Sequence, residues 1–331
     1  GADGEVVVLA VDGGRRTVLR GQSGLVRSAV VTPDGRTAIT AGEDGALHLW
    51  DLGSGRAVGR LAGPGVEVWG LALSADGRRV AAGSADGGLR VWNLPDRSVV
   101  WSAPPEGDSI GAVGLDARGT RLVWVTSGGT VAVRDLAHGR TTTMPPEHGG
   151  EVNGAALSRD GRWVATGGGD GSVRVWPAAG GHSAATLLGH QGPVGWVAFS
   201  PDGRTVMSGG ADGSARIWDW AAAGIAAAPG GRIIPGGLAA GPSPGRAVVV
   251  RDGGLLERLD LRTARASRVA LKDPGEYLVS ATLSADGTRV LGAAPDGVRV
   301  WSGQGAVEET LRVTKPTTWA LTLGGDRVAG G

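Results

Sequence analysis

The sequence predicts an all-β protein assembled from repeated units of four short antiparallel strands, and three observations predict it. The first is a period. Asp-Gly stands at Asp34–Gly35, Asp76–Gly77, Asp160–Gly161, Asp202–Gly203 and Asp286–Gly287, at separations of 42, 84, 42 and 84 residues. Arg118–Gly119 and Pro244–Gly245 fill the two gaps in register, so seven copies share one 42-residue repeat. The second is the spacing within a copy, where apolar runs recur about every ten residues between Gly-containing turns, the pattern of strands joined by hairpins. The third is composition. The 62 Gly and 17 Pro make 79 of 331 residues, close to the share of low-complexity chains, but 12 Trp and 41% hydrophobic residues exclude disorder. A chain this rich in Trp and Val buries a core, and its glycines are turn punctuation.

The copy from Gly189 to Trp220 shows the elements in order. Val194–Phe199 is the first strand, and Ser200-Pro201-Asp202-Gly203 turns it back. Thr205–Ser208 is the second, followed by the turn Gly209-Gly210-Ala211-Asp212-Gly213, which is expected to need positive φ. Ala215–Trp218 is the third and ends in Trp218–Asp219. A weaker fourth run, such as Arg56–Leu61 or Ser183–Leu188, leads to the next copy. Four strands in about 42 residues describe one propeller blade.

Seven copies run from about Leu25 to Val313. Residues 5–20 read as a third and fourth strand with Leu9 in the Trp position, and residues 317–329 as a first and second. Together they make an eighth blade, so the expectation is a closed ring of eight four-stranded blades, sealed by two N-terminal and two C-terminal strands. Closure removes unpaired sheet edges. The alternative, seven blades, leaves four terminal strands over with their apolar runs in water. The blades are placed at about 25–62, 67–103, 109–144, 151–188, 194–234, 235–271 and 276–313, with a composite of 317–331 and 1–20, in one domain. The segment Ala221–Pro244, with two Ala runs, two Gly-Gly pairs and four Pro, departs most from the pattern.

The motif resembles the WD40 repeat. Trp-Asp occurs at Trp50–Asp51 and Trp218–Asp219, with variants at Trp92–Asn93, Trp176–Pro177 and Trp301–Ser302 and degenerate copies at Arg134–Asp135 and Leu259–Asp260. The resemblance implies a buried tetrad in which a Trp indole meets a Ser or Thr hydroxyl, the hydroxyl a His, and the His a turn Asp. Trp176, Thr166, His148 and Asp170 match it, as do Trp218, Ser208, His190 and Asp212; a third copy has Trp50, Thr40 and Asp44 with Gln22 in the His position. A Ser/His/Asp set also suggests a hydrolytic triad, but catalysis would not require one set per blade with Trp included. The resemblance further places both chain ends on the top face, in the loop between second and third strands.

Charge and composition narrow the function. The 33 basic and 32 acidic residues leave a net charge of +1, which argues against a dedicated nucleic-acid or anionic-membrane surface. The run Val6–Val11 is far short of the roughly 20 residues of a membrane helix. Without Cys there are no disulfides or thiolate sites. Lys272 and Lys315 are the only lysines, and an Arg-, Ala- and Gly-rich chain of this kind points to a high-GC bacterial source and a soluble, cytoplasmic location. The Gly-rich turns lack the Lys-Ser/Thr of a phosphate loop and the closing acid of a calcium loop, so no cofactor or metal is expected. His48, His138 and His182 are expected on the surface or in loops.

One column, near the start of each first strand, reads Arg27, Trp69, Gly111, Asn153, Gly195, Gly237, Val279 and Trp319. In the family these positions face the top rim of the central channel. Arg27, Trp69 and Trp319, with Asn153 and with Tyr277 and Glu67 two positions earlier, form the candidate binding patch, since Trp, Tyr and Arg often anchor interfaces. Trp196, one position out of register, is expected to pack inward. The expectation is therefore a non-enzymatic scaffold or sensor that binds a protein or peptide. The resemblance implies fusion to, or association with, a signalling enzyme such as a STAND-type ATPase, a protein kinase or a caspase-like protease. The alternatives are a propeller enzyme of lactonase or quinoprotein type, or a purely architectural propeller.

Overall fold

The Asp-Gly turns at Asp34, Asp76, Asp160 and Asp202 are tied by their own side chains. The Oγ of Thr32, Ser74, Ser158 and Ser200 donates to Oδ1 of Asp34, Asp76, Asp160 and Asp202 at 2.6 Å, and the same oxygen accepts the N–H two residues on at 3.0–3.1 Å. The following glycines sit at φ 66–71°, where an L side chain is strained. In the third copy the pair is swapped. Asp116 stands in the Ser position, and its carboxylate accepts Thr120 N–H at 2.6 Å, Thr120 Oγ1 at 2.6 Å and Arg121 N–H at 3.0 Å, so Arg118–Gly119 turns without an aspartate of its own.

The computed structural model describes residues 4–10 and 16–221 and, beyond these, chiefly strands. Tyr277, Val279, Trp319 and the turns at Pro244–Gly245 and Asp286–Gly287 lie outside the described residues. The described residues form eight four-stranded antiparallel sheets, numbered here in chain order. Sheets one to seven each use four consecutive strands, starting with Val26–Val31, Val68–Leu73, Ile110–Leu115, Val152–Leu157, Val194–Phe199, Ile233–Ala240 and Ser280–Leu283. Sheet eight joins the two ends of the chain. Val6–Ala10 lies between Arg16–Leu19 and Arg327–Gly330, with Val8 opposite Ala329, and Leu321–Gly324 completes it. The irregular stretch after Ala221 contributes Gly224–Ala227 to sheet five and Ile233–Ala240 to sheet six, with a register shift between Ile233 and Leu238.

The chain divides into two compact units, one of residues 1–40, 48–60 and 228–331, the other of 41–47 and 61–227. In the first, Val6, Val8, Leu19, Val26, Val31 and Trp50 form a buried cluster. In the second, the first strands of sheets two to five pack in series. Glycine permits the close approach: a Cβ on Gly154 would stand 3.2 Å from Gly195 O, and one on Gly167 only 2.5 Å from Val194 Cγ1. Trp92, Trp176 and Trp218 are fully buried between sheets, each removing on the order of 150–250 Å² from water. Second-strand residues also tie each sheet to the next sheet's turn, for Arg79 Nη1 donates to Gly119 O at 2.7 Å and Arg121 Nη1 to Gly161 O at 2.6 Å.

Two expectations need correction. His48 is buried, 8% exposed, and stacks on Trp50 with ring centroids 5.8 Å apart; it is neither a surface nor a loop residue. The glycine pairs Gly167–Gly168 and Gly209–Gly210 are not positive-φ turn residues. They end the strands Trp163–Gly168 and Thr205–Gly210, and only Gly171 and Gly213 beyond them take φ 76° and 74°. Gly167, Gly168 and Gly210 are there for space: a Cβ on Gly168 would fall 2.2 Å from His148 Nδ1, and one on Gly210 2.5 Å from His190 Nδ1, whereas one on Gly209 would meet nothing within 4 Å.

Candidate interaction surface

The polar chain that locks sheets four and five is built from four elements. Trp176 ends a third strand, Thr166 lies on the second, His148 precedes the first, and Asp170 sits in the turn between second and third. Trp176 Nε1 donates to Thr166 Oγ1 at 2.8 Å, Thr166 Oγ1 meets His148 Nε2 at 2.8 Å, and His148 Nδ1 meets Asp170 Oδ1 at 3.2 Å. Trp218, Ser208, His190 and Asp212 repeat this at 2.8, 2.8 and 3.0 Å. The hydroxyl accepts from the indole and therefore donates to Nε2, which leaves the hydrogen on Nδ1 to be donated to the carboxylate. Burial holds both imidazoles below their ordinary pKa, against the pull of the Asp, so they remain neutral in this single tautomer. Burial works against the charge on Asp170 and Asp212 too, but the backbone N–H of Gly149 or Gln191 and the Ser172 or Ser214 groups outweigh it and hold both carboxyls far below their usual range.

Sheet one keeps only part of the chain. Trp50 Nε1 donates to Thr40 Oγ1 at 2.8 Å and Thr40 Oγ1 to Gln22 Oε1 at 2.6 Å, while Gln22 Nε2 is buried without a partner among the described residues. Asp44 instead accepts Ala46 N–H at 3.2 Å. Ser208 Oγ is wholly enclosed and committed to Trp218 and His190, so it has no access to a substrate as a nucleophile. His138 and His182 are exposed, each against a carboxylate, Asp135 at 3.0 Å and Glu147 at 2.8 Å. The Ser183 hydroxyl, with His182 and Arg174, holds Glu147 down to about 2. Among the described residues no group of three or more carboxylates and imidazoles is placed to hold a metal ion.

The first-strand column has a structural cause that the sequence did not reveal. In sheets two to five the register against the second strand shifts between Val68 and Gly70, Ile110 and Ala112, Val152 and Gly154, and Val194 and Trp196. The skipped residues are Trp69, Gly111, Asn153 and Gly195, so the column is a row of β-bulges, which turn a side chain out of the pleat. All four are exposed. Trp69 is 42% exposed beside Val66 at 64%, with Glu67 half-buried between them. Trp69 and Asn153 stand on the first strands of sheets two and four, with the bare Gly111 on the intervening one. Arg27 is exposed on Val26–Val31 in the other unit. Trp196 is 38% exposed, not packed inward, because it follows the bulge directly.

Another column escaped sequence reading. Arg90, Arg174 and Arg216 stand two residues before Trp92, Trp176 and Trp218, so they share a strand face with the indole. The Arg90 and Arg216 guanidinium carbons lie 6.0 and 5.9 Å from the Trp92 and Trp218 rings, and Arg90 Nη1 caps Ala62 O at 3.0 Å. The Arg-x-Trp spacing at the 42-residue period was the available signal.

The family model "WD domain, G-beta repeat" matches residues 13–51, 55–93, 139–177 and 181–219, segments in step with the 42-residue period. The chain belongs to the WD40-repeat family. Its unmatched third copy is the one with the swapped Asp116 turn and with Arg134–Asp135 in place of Trp-Asp. Among solved structures, the computationally designed Ika8 protein is similar over 91% of each chain, with a TM-score of 0.77 and 22% identity, a likeness of fold. The fold of this WD40 chain is thus an all-β propeller of four-stranded sheets. No curated protein matches it.

Proposed function

We propose that this WD40 chain is a non-enzymatic interaction module that binds a protein or peptide segment through the bulged residues of its first strands. WD40 domains generally act as protein-interaction scaffolds, and the observation that carries the reading here is the exposed Trp69, held out by a β-bulge beside Val66 and Glu67. A half-exposed Trp on a rigid strand loses little entropy on binding and is a favoured anchor. A peptide selected on the wild-type protein from a displayed random library is expected to lose about 30-fold or more in affinity on Trp69→Ala plus Trp319→Ala, with the melting temperature nearly unchanged. Lower stability with unaltered affinity would assign the two Trp to packing.

The same reading takes the eight sheets as blades of one closed ring. The pairing of Val6–Ala10 with Arg327–Gly330, the serial packing of first strands and the 42-residue count support it. Class averages of single particles are expected to show eight spokes; seven would overturn the count. The module is further read as a cytoplasmic part of a larger bacterial signalling protein, on its Arg-rich, Lys-poor composition and its family, and the neighbouring reading frame tests this directly.

A further inference from the structure

In the second unit charge is divided between the two ends of the sheets, which the near-zero net charge of the chain conceals. The loops leading into the first strands of sheets two to five are residues 63–67, 104–109, 144–151 and 188–193. They carry Glu67, Glu106, Asp108, Glu147 and Glu151 and neither Lys nor Arg. The turns between second and third strands lie beside them: Ala85 N–H donates to Glu67 O at 2.8 Å, and Gly107 N–H to Asp86 O at 3.0 Å. These turns add Asp86, Asp170 and Asp212, again without Lys or Arg. The opposite end, at the Asp-Gly turns, holds the exposed Arg78, Arg118, Arg159, Arg162 and Arg204. The arginines of the third strands are engaged within the sheets. Arg90 caps Ala62 O, Arg134 donates to Thr141 Oγ1 at 2.8 Å, and Arg216 lies by the Trp218 ring. Arg174 pairs with Glu147 at 2.9 Å and neutralises that one carboxylate.

Exposed apolar surface gathers at the same acidic end. Among the described residues the exposed large hydrophobics are Val58, Val66, Trp69, Val99, Leu188 and Trp196, and all but Val58 and Val99 stand there. The bulge row is open between its side chains, for a Cβ on Gly111 or Gly195 would meet nothing within 4 Å. Val66 N–H donates to Asp86 Oδ2 at 3.3 Å, which sets a carboxylate against the exposed valine two residues before the Trp69 bulge position is reached at Val68 and Gly70. An indole face attracts a cation, and grouped carboxylates raise the local concentration of positive charge and reject an acidic segment.

We propose that the segment bound at the bulged strand ends is a basic peptide, its apolar part on Val66 and Trp69 and its Lys or Arg side chains among Asp86, Glu106 and Asp108. This rests on the reading of Trp69 as an anchor and adds to it the charge of the partner. The complementary charge sets register and speeds encounter, while the indole supplies the buried area.

The probe is the displayed random peptide library, selected on the full chain and sorted by whether binding survives Trp69→Ala. Peptides that depend on Trp69 are expected to be enriched in Lys and Arg over the unselected library. Their affinity should fall about fivefold or more between about 0.05 and 0.5 M NaCl, a measurement that needs no variant. Glu106→Gln plus Asp108→Asn is expected to weaken them about three- to tenfold at low salt, and Arg78→Gln plus Arg118→Gln at the opposite end to leave them unchanged. Trp69-dependent peptides without excess basic residues, or with affinity indifferent to salt and to the two amide substitutions, would overturn the basic partner and leave the Trp69 anchor standing. A selection in which no peptide depends on Trp69 would overturn both.

Discussion

Ser208→Ala is expected to lower the unfolding free energy by about 2–4 kcal/mol in denaturant titration. One oxygen serves two buried partners, Trp218 Nε1 and His190 Nε2, both at 2.8 Å. Its removal leaves an indole N–H and an imidazole nitrogen in a sheet interior where Ser208 and Trp218 are completely enclosed. An unmade bond there costs the desolvation of each orphaned group, more than the net value of the bond itself. Ser208→Thr is the decisive companion. Threonine stands in this position at Thr40 and Thr166 and makes the same indole contact at 2.8 Å, so the variant should recover most of the loss. If alanine costs under about 0.5 kcal/mol, the level of an ordinary surface change, the tetrad is not a stabilising element.

Gly168→Ala is expected to cost about 3 kcal/mol or more, because the added methyl would stand 2.2 Å from His148 Nδ1 and 2.5 Å from Asp170 Oδ1, inside the bond that joins them. Either the imidazole leaves its hydrogen bonds or the strand end shifts. Gly203→Ala separates this from the ordinary cost of replacing a turn glycine. Gly203 has φ 71° but open space, its nearest neighbour being Ser158 Cβ at 4.0 Å, so about 1–2 kcal/mol is expected from backbone strain alone. Hydrogen exchange of the Thr166 and Trp176 amides would localise the effect of Gly168→Ala to sheet four; equal losses for the two variants would contradict the spatial argument.

The repeat was legible because its markers act locally. An Asp-Gly turn closes on its own Ser or Thr at 2.6 Å, so its chemistry is written within six residues. The degenerate turn at Arg118–Gly119 could be placed only by register, since its substitute acceptor, Asp116, is two residues away in the Ser position. The tetrads were legible as columns of residue types. Gln22 in the His position was legible as well, but not its consequence, a buried Nε2 without a partner among the described residues. The candidate patch was read from a column whose cause, a bulge repeated in four sheets, depends on register against the second strand. A one-residue shift reverses which face a side chain takes, which is why Trp196 was expected inside and is found 38% exposed. Tyr277 and Trp319 lie outside the described residues, and of the patch the structure describes Arg27, Glu67, Trp69 and Asn153.

By itself the sequence determined the all-β class, the 42-residue unit, the positions of its turns and the residue columns of the tetrads, because period and turn chemistry are short-range properties. Only the tertiary structure decided what two neighbouring sheets make of each other. Gly167 and Gly168 serve as space and not as turns, and Trp220 beside sheet five packs its ring on Trp163 of sheet four. In each case the deciding neighbour lies on another strand or another sheet, and its distance is set by packing that no single repeat contains.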